Sequence, residues 1–195
     1  MIGGYTNNGS VNNVIYLDDP SNDVFLGESI RTVASHYIFI LGCLRGSTAC
    51  VRRLWIYRRL ALGFSSETAA HALHLMVLGL FDRYPKLQII LDHCGEGLPF
   101  FCPRIDQRMR HFQHAVLWPA KQTMTYYWNN FHVTTAGVQD EGALLDTLRV
   151  TDEDRVIFSV DYPLEEIARW FDRSEMNIET KEKIGYGNAR KLLKL

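Results

Sequence analysis

From residue 62 onward the chain switches between two spacings of apolar residues. Over 65–85, "SSETAAHALHLMVLGLFDRYP", they recur at helical intervals. Ser65 or Ser66 can cap that helix, Glu67 falls in its first turn, and Pro85 forbids its continuation. "LQIILDH" (87–93) does not alternate and reads as a strand buried on both faces. "GLPFFCPRIDQRMRHFQHAVLW" (97–118) is expected to be helical after Pro103, and "TMTYYWNN" (123–130) is a shorter amphipathic piece. "FHVTTAG" (131–137) is the next strand, "DEGALLDTLRVTD" (140–152) the next helix, and "RVIFSVDYP" (155–163) a third strand. "EEIARWFDRSEM" and "TKEKIGYGNARKLLKL" close the chain as helices.

Strands separated by helices predict a parallel sheet with right-handed crossovers. Each predicted strand carries its polar residues at the C-terminal end: His93, then Thr134 and Thr135, then Asp161. In a (β/α) barrel, and equally in a doubly wound open sheet, that is the end where ligands bind. No Gly-rich phosphate loop follows any strand, which counts against a nucleotide site.

The first 62 residues lack this rhythm. "MIGGYTNNG" (1–9) reads as a short strand with a loop, and "VIYLDDPSNDVF" (14–25) as a loop leading into a helix. Residues 26–61 then place six arginines (Arg31, Arg45, Arg52, Arg53, Arg58, Arg59) among apolar residues with no helical or strand face. Poor order is expected there.

A chain of 195 residues, 47% hydrophobic, can bury a full core as one domain. A net charge of -1 gives no reason to expect a nucleic acid or an anionic membrane as partner. No apolar run reaches the ~18 residues of a membrane span, and "MIGGYTNNGS" lacks the regions of a signal peptide. The four cysteines contain no CxxC pair, so reduced thiols and a cytoplasmic location are expected.

His93 followed by Gly95 has room to enter a pocket, and Glu96, three residues on, can bond one imidazole nitrogen and fix the tautomer. A half-buried histidine capping a helix start is the competing interpretation. Asp161 directly after an apolar strand is costly to bury without a cation; an N-cap for a helix at Pro163 is its alternative. Together the two residues suggest metal or general-acid chemistry. His71 and His74, one turn apart, are expected to pack a helix on the sheet, and His111 and His114 to be solvated. Cys94 lacks a base placed for it and is expected in the core, where Tyr126, Tyr127 and Trp128 also pack their helix.

"LFDRYPKLQIILDHCGEGLPF", "FHVTTAG", "DRVIFSVDYPLE" and "KIGYGNARKLLKL", in this order, resemble the amidohydrolase-related decarboxylases. The likeness is greatest to fungal and bacterial enzymes that decarboxylate hydroxybenzoates such as dihydroxybenzoate and resorcylate, and it covers residues 1–25 and 62–195. It implies a (β/α)₈ TIM barrel, of which this chain would hold the C-terminal half as a single partial domain over 1–195. It also implies one divalent metal, Zn or Mn, a small aromatic carboxylic acid as substrate, and a homo-oligomer. Asp161 matches the strand-eight aspartate that ligates the metal and handles a proton. His93 matches the strand-six histidine beside the substrate, and Glu96 matches the acid paired with it. Arg104 in "PRID" matches an arginine of the pattern, with substrate contact and a structural ion pair both open.

The departures concern the metal. The family's first-strand acid-x-His or His-x-His pair has no counterpart, because Met1 aligns near the fourth strand. Its His-Pro-Arg triplet after strand five falls where this chain has "SHYIFILGCLRGS", and no His-Pro occurs anywhere. "HYIFILGC" can be encoded so that reading from the third base gives Leu-Tyr-Leu-His-Pro-Arg-Leu, the missing motif. Residues 26–61 are therefore expected to be frame-shifted or misspliced. With one ligand of about four, the expected function is a metal-dependent non-oxidative decarboxylase impaired in this chain. An inactive remnant or interaction module, and a hydrolase of the same superfamily, are the alternatives.

Overall fold

The structure, a computed structural model, describes residues 62–111, 120–161 and 169–195 in full, and 5–7, 14–16 and 37–40 as backbone. Two short strands, β1 (Tyr5–Asn7) and β2 (Val14–Tyr16), pair antiparallel. "VIY" is thus a strand and not the start of a loop. Four further strands form one parallel sheet in the order β3 (Tyr37–Ile40), β4 (Gln88–Leu91), β5 (Phe131–Thr134) and β6 (Val156–Ile157). Strand β3 corrects the expectation of a faceless 26–61: Tyr37 pairs with Gln88 and Ile40 with Leu91. "YIFI" is four consecutive residues of high β propensity, enough to add to an edge. The other residues of that segment, and with them the suspected frame shift, lie outside the described residues.

The helices among the described residues are α1 (Gly63–Val77), α2 (Leu80–Arg83), α3 (Leu98–His111), α4 (Thr123–Asn130), α5 (Glu141–Val150), α6 (Arg169–Arg173), α7 (Ile178–Glu182) and α8 (Asn188–Leu193). The single helix expected over 65–85 starts earlier, at Gly63, so Ser65 and Ser66 lie inside its first turn. It breaks at Gly79, whose φ of 75° only glycine adopts freely. Helix α3 begins before Pro103, which it accommodates within its length.

Period-two alternation sends Ile89, Leu91, Phe131, Val133 and Val156 to the helical side, where they join Leu75, Met76, Phe81, Tyr126 and Tyr127 in one core. Phe131 is its hinge: its ring stacks on Tyr127 at 5.6 Å and meets Phe81 edge-on at 5.3 Å. Trp128, one position round helix α4, instead stays half exposed and donates Nε1–H to the Val150 carbonyl at 2.7 Å. Asp106 of α3 caps α4 from outside, accepting Thr123 N–H at 2.7 Å, Thr123 Oγ1–H at 2.6 Å and Met124 N–H at 3.2 Å.

Strand β6 ends sooner than "RVIFSVDYP" suggests because the pairing changes partner after Ile157. Phe158 N–H donates to the Ile184 carbonyl at 2.9 Å, in a wide π turn (Lys183–Gly187) between α7 and α8. A π turn frees a carbonyl from the helix ladder. Ser159 N–H goes to Thr135 Oγ1 at 3.1 Å. The parallel order of these four strands, with helices between them in the chain, is what the alternation of elements predicts.

Candidate active site

The site is built at the C-terminal end of β4, where the chain enters a turn of unusual handedness. His93, Cys94, Gly95, Glu96 and Gly97 have φ of 52°, 53°, 81°, 55° and 76°. Gly95 N–H bonds the Asp92 carbonyl at 2.9 Å and Glu96 N–H the His93 carbonyl at 3.1 Å, so this is a left-handed 3₁₀-like turn. The two glycines accept that conformation freely, whereas each of the other three residues costs roughly 1–2 kcal/mol. Such strain persists only where neighbours dictate it. Here Thr147 Oγ1 donates to the Cys94 carbonyl at 3.3 Å, and Thr134 Oγ1 donates to Asp92 Oδ1 at 2.8 Å.

The turn has a chemical consequence. In a three-residue helical repeat, positions i and i+3 eclipse, which brings Glu96 directly onto His93. His93 Nδ1 lies 2.6 Å from Glu96 Oε1, and Nε2 lies 3.4 Å from Asp161 Oδ2. The three side chains form a line from the interior outward: Glu96 is 1% exposed, His93 23% and Asp161 43%. The hydrogen bond to Glu96, aided by the charges of Glu96 and Asp92 and by the contact with Asp161, outweighs burial and lifts the His93 pKa to about 9. An acidic side chain thus stands at each ring nitrogen, an arrangement that favours the protonated ring. Burial raises the Asp92 pKa, only partly offset by its bond from Thr134.

Of the sequence candidates, His93, Glu96 and Asp161 are brought together across 68 residues of chain. Arg104 stands apart, exposed on α3, with no hydrogen bond or ion pair to the other three. The N-cap alternative for Asp161 would involve 162–168, outside the described residues. Cys94 is buried and its thiol pKa is pushed up to about 11 by that burial, so it packs and does not attack. His71 is buried within α1, and His111 is exposed, its Nδ1 bonded to the Gln107 carbonyl at 2.8 Å.

Asp92, outside the sequence candidates, also stands at the site; its signal in the sequence is an acid between an apolar strand and a candidate histidine. Two cavities flank the turn, about 480 Å³ toward α5 and about 450 Å³ between α1 and α3. Both border His93 and Gly97 but not Asp161, so they lie in the helical layer, beside the line of acid and base.

Among the described residues no group of three or more His, Cys, Asp or Glu side chains can hold a metal ion. Asp161 offers one carboxylate, and both His93 nitrogens are already engaged. A catalytic zinc takes three protein ligands and keeps a fourth position open. The described residues alone do not meet that requirement.

Comparison with known proteins gives consistent results. Residues 26–195 match the family described as Amidohydrolase. The chain is 45% identical over 136 residues to a gamma-resorcylate decarboxylase of Polaromonas sp. strain JS666, covering 68% of this chain and 42% of that protein. A crystal structure of 2,6-dihydroxybenzoate decarboxylase complexed with 2,6-dihydroxybenzoate superimposes with a TM-score of 0.84 at 33% identity, covering 100% of this chain and 61% of that one. A dihydroxybenzoic acid decarboxylase from Polaromonas sp. JS666, with bound manganese and the inhibitor 2-nitroresorcinol, gives 0.81 at 33% identity over 100% of this chain and 60% of that one. The chain spans between 41% and 61% of the length of the curated relatives it matches.

Proposed function

The chain belongs to the amidohydrolase family, and from that premise we propose that it carries the proton-handling part of a non-oxidative decarboxylase site for a hydroxybenzoate-type acid. The observation that carries this reading is the line Glu96–His93–Asp161, with contacts of 2.6 and 3.4 Å, at the C-terminal end of parallel strands. Decarboxylation of an electron-rich ring requires an acid. In this reading Asp161 takes the Nε2 proton of His93 and passes it to the ring carbon that bears the substrate carboxylate. The C–C bond then breaks, carbon dioxide leaves, and the bonding pair returns to the ring. Glu96, 2.6 Å from Nδ1, favours the protonated ring and holds Nε2 toward Asp161. Asp161, the most exposed of the three, is the member able to face a substrate.

Relatives of this chain are named for resorcylate and dihydroxybenzoate, and one carries manganese. Asp161 is the residue here that would serve as a metal ligand, and zinc or manganese is the metal class. The described donor set is incomplete, so no step is assigned to a metal, and activity of this chain is expected to be impaired. The same incompleteness favours a second reading, a non-catalytic remnant. No helix among the described residues is long and apolar enough to cross a membrane, and we place the protein in the cytoplasm.

The test joins elemental analysis of the purified chain to a carbon dioxide release assay on 2,6-dihydroxybenzoate with added manganese. Sub-stoichiometric metal and a near-background rate are expected. Stoichiometric zinc or manganese would overturn the impairment. In NMR titrations, 2,6-dihydroxybenzoate should perturb the His93 and Asp161 signals; no perturbation at either would sink the substrate class.

A further inference from the structure

We propose that Gly137, in the turn after β5, is the residue that positions the His93 imidazole. The proposal rests on reading His93 and Asp161 as the proton-handling pair. A methyl group built on Gly137 would fall onto His93 Cδ2 and lie 2.7 Å from Nε2 and 3.3 Å from Cγ; its three nearest atoms all belong to that ring. The bare α-carbon of Gly137 therefore forms a wall against the Cδ2–Nε2 edge. With that edge held against Gly137, Nε2 faces Asp161 Oδ2 at 3.4 Å. At 3.4 Å the contact with Asp161 is already long for a hydrogen bond. Displacing the ring edge by a fraction of the overlap of a methyl group would break it.

The other fixed points leave this edge as the remaining freedom. Nδ1 is tied to Glu96 at 2.6 Å, which leaves the ring able to swing about that bond. Gly137 lies on the far side of the swing. Its own place is set by the Val138 N–H bond to the Thr135 carbonyl at 3.2 Å. Thr135 Oγ1 also donates to the Ser159 carbonyl at 2.9 Å and accepts Ser159 N–H at 3.1 Å. One turn thus braces both partners: it walls the His93 ring and grips Ser159, two residues before Asp161.

Substitution at 137 also strains the backbone, since Gly137 has φ +69°. Gly79 provides the matched control: its φ is +75°, yet a methyl there meets only Asp82 Oδ2, at an ordinary 3.4 Å. The experiment is side-chain NMR of His93 in the 195-residue chain, without metal or substrate, for the wild type, Gly137→Ala and Gly79→Ala. The wild type should show a through-space contact between Gly137 Hα and His93 Hδ2; absence of that contact overturns the proposal without any variant. In Gly137→Ala the His93 ring nitrogen and Hδ2 resonances should shift, while in Gly79→Ala they should stay in place. Unmoved resonances in Gly137→Ala, or equal movement in both variants, would refute it. These readouts need no catalysis, so a chain that never releases carbon dioxide can still uphold or defeat the role of Gly137.

Discussion

The two ends of the parallel sheet treat their polar groups in opposite ways. At the N-terminal end the described Asn130, Gln88 and Arg155 side chains are spent on closing the fold. Asn130 Nδ2 donates to the carbonyls of Pro85 at 3.1 Å and Leu87 at 2.8 Å. Arg155 Nη1 donates to Gln88 Oε1 at 2.8 Å and contacts His132 Nε2 at 3.3 Å. Since an arginine only donates, Nε2 accepts, and His132 is the neutral Nδ1–H tautomer. At the C-terminal end the backbone is strained over His93–Glu96, and Asp92, Glu96 and Asp161 crowd one imidazole. The difference is a division of labour: packing at one end carries stability, while the other end tolerates unfavourable conformations that bring acid and base together.

The largest effect should follow from damage to the N-terminal end. Phe131→Ala removes the ring that links Tyr127 and Phe81 and should cost about 3–5 kcal/mol in urea unfolding. A loss under about 1 kcal/mol would break the comparison, since it would place the stabilising core elsewhere.

Acidification probes the same region more gently. Burial first, then the charges of Arg155 and Lys191, lowers the His132 pKa to about 4; burial first, then His74, lowers that of His71 to about 4. Both groups are neutral above pH 6.5 whether folded or not, so their stabilising contribution is full there. Between 6.5 and 4 the unfolded chain binds protons that the folded chain refuses, and stability falls by up to about 3 kcal/mol per histidine, at 1.36 kcal/mol per pKa unit. Replacing His132 with Asn should flatten that part of the unfolding midpoint against pH. An unchanged slope would mean that the buried ring takes its proton in place.

These two ends were not equally legible in the sequence. Strand β4 was readable because "QIIL" is apolar on both faces, and the position of His93 and Asp161 just beyond two such strands announced a shared site. Glu96 was readable from its three-residue spacing, although the handedness of the turn that makes the spacing work was not. Nothing in "HCGEG" distinguishes five left-handed residues from two, because the groups that hold the turn, Thr147 on the Cys94 carbonyl and Thr134 on Asp92, lie 53 and 42 residues away in the chain. Gly137 was invisible for a related reason: its meaning lies in a ring 44 positions earlier, and a glycine in "TTAG" reads only as a turn. Likewise β6 was drawn too long, since Phe158 finds its partner in a helix that follows it.

The smallest change in stability should come from Asp161, the position proposed to deliver the proton. Asp161 is 43% exposed, and its contact with His93 is 3.4 Å, so water already screens much of the attraction. Asp161→Asn keeps the size of the side chain and removes its charge; the unfolding free energy should move by no more than about 0.5 kcal/mol. Under the proposed proton transfer, the same variant should abolish any response of the His93 signals to 2,6-dihydroxybenzoate, because the ring loses its carboxylate partner at Nε2. Stability and site response would then separate in a single substitution, the reverse of Phe131→Ala. A loss above about 2 kcal/mol would instead make Asp161 a structural clamp between β4 and β6, and the contrast between the two ends of the sheet would not survive it.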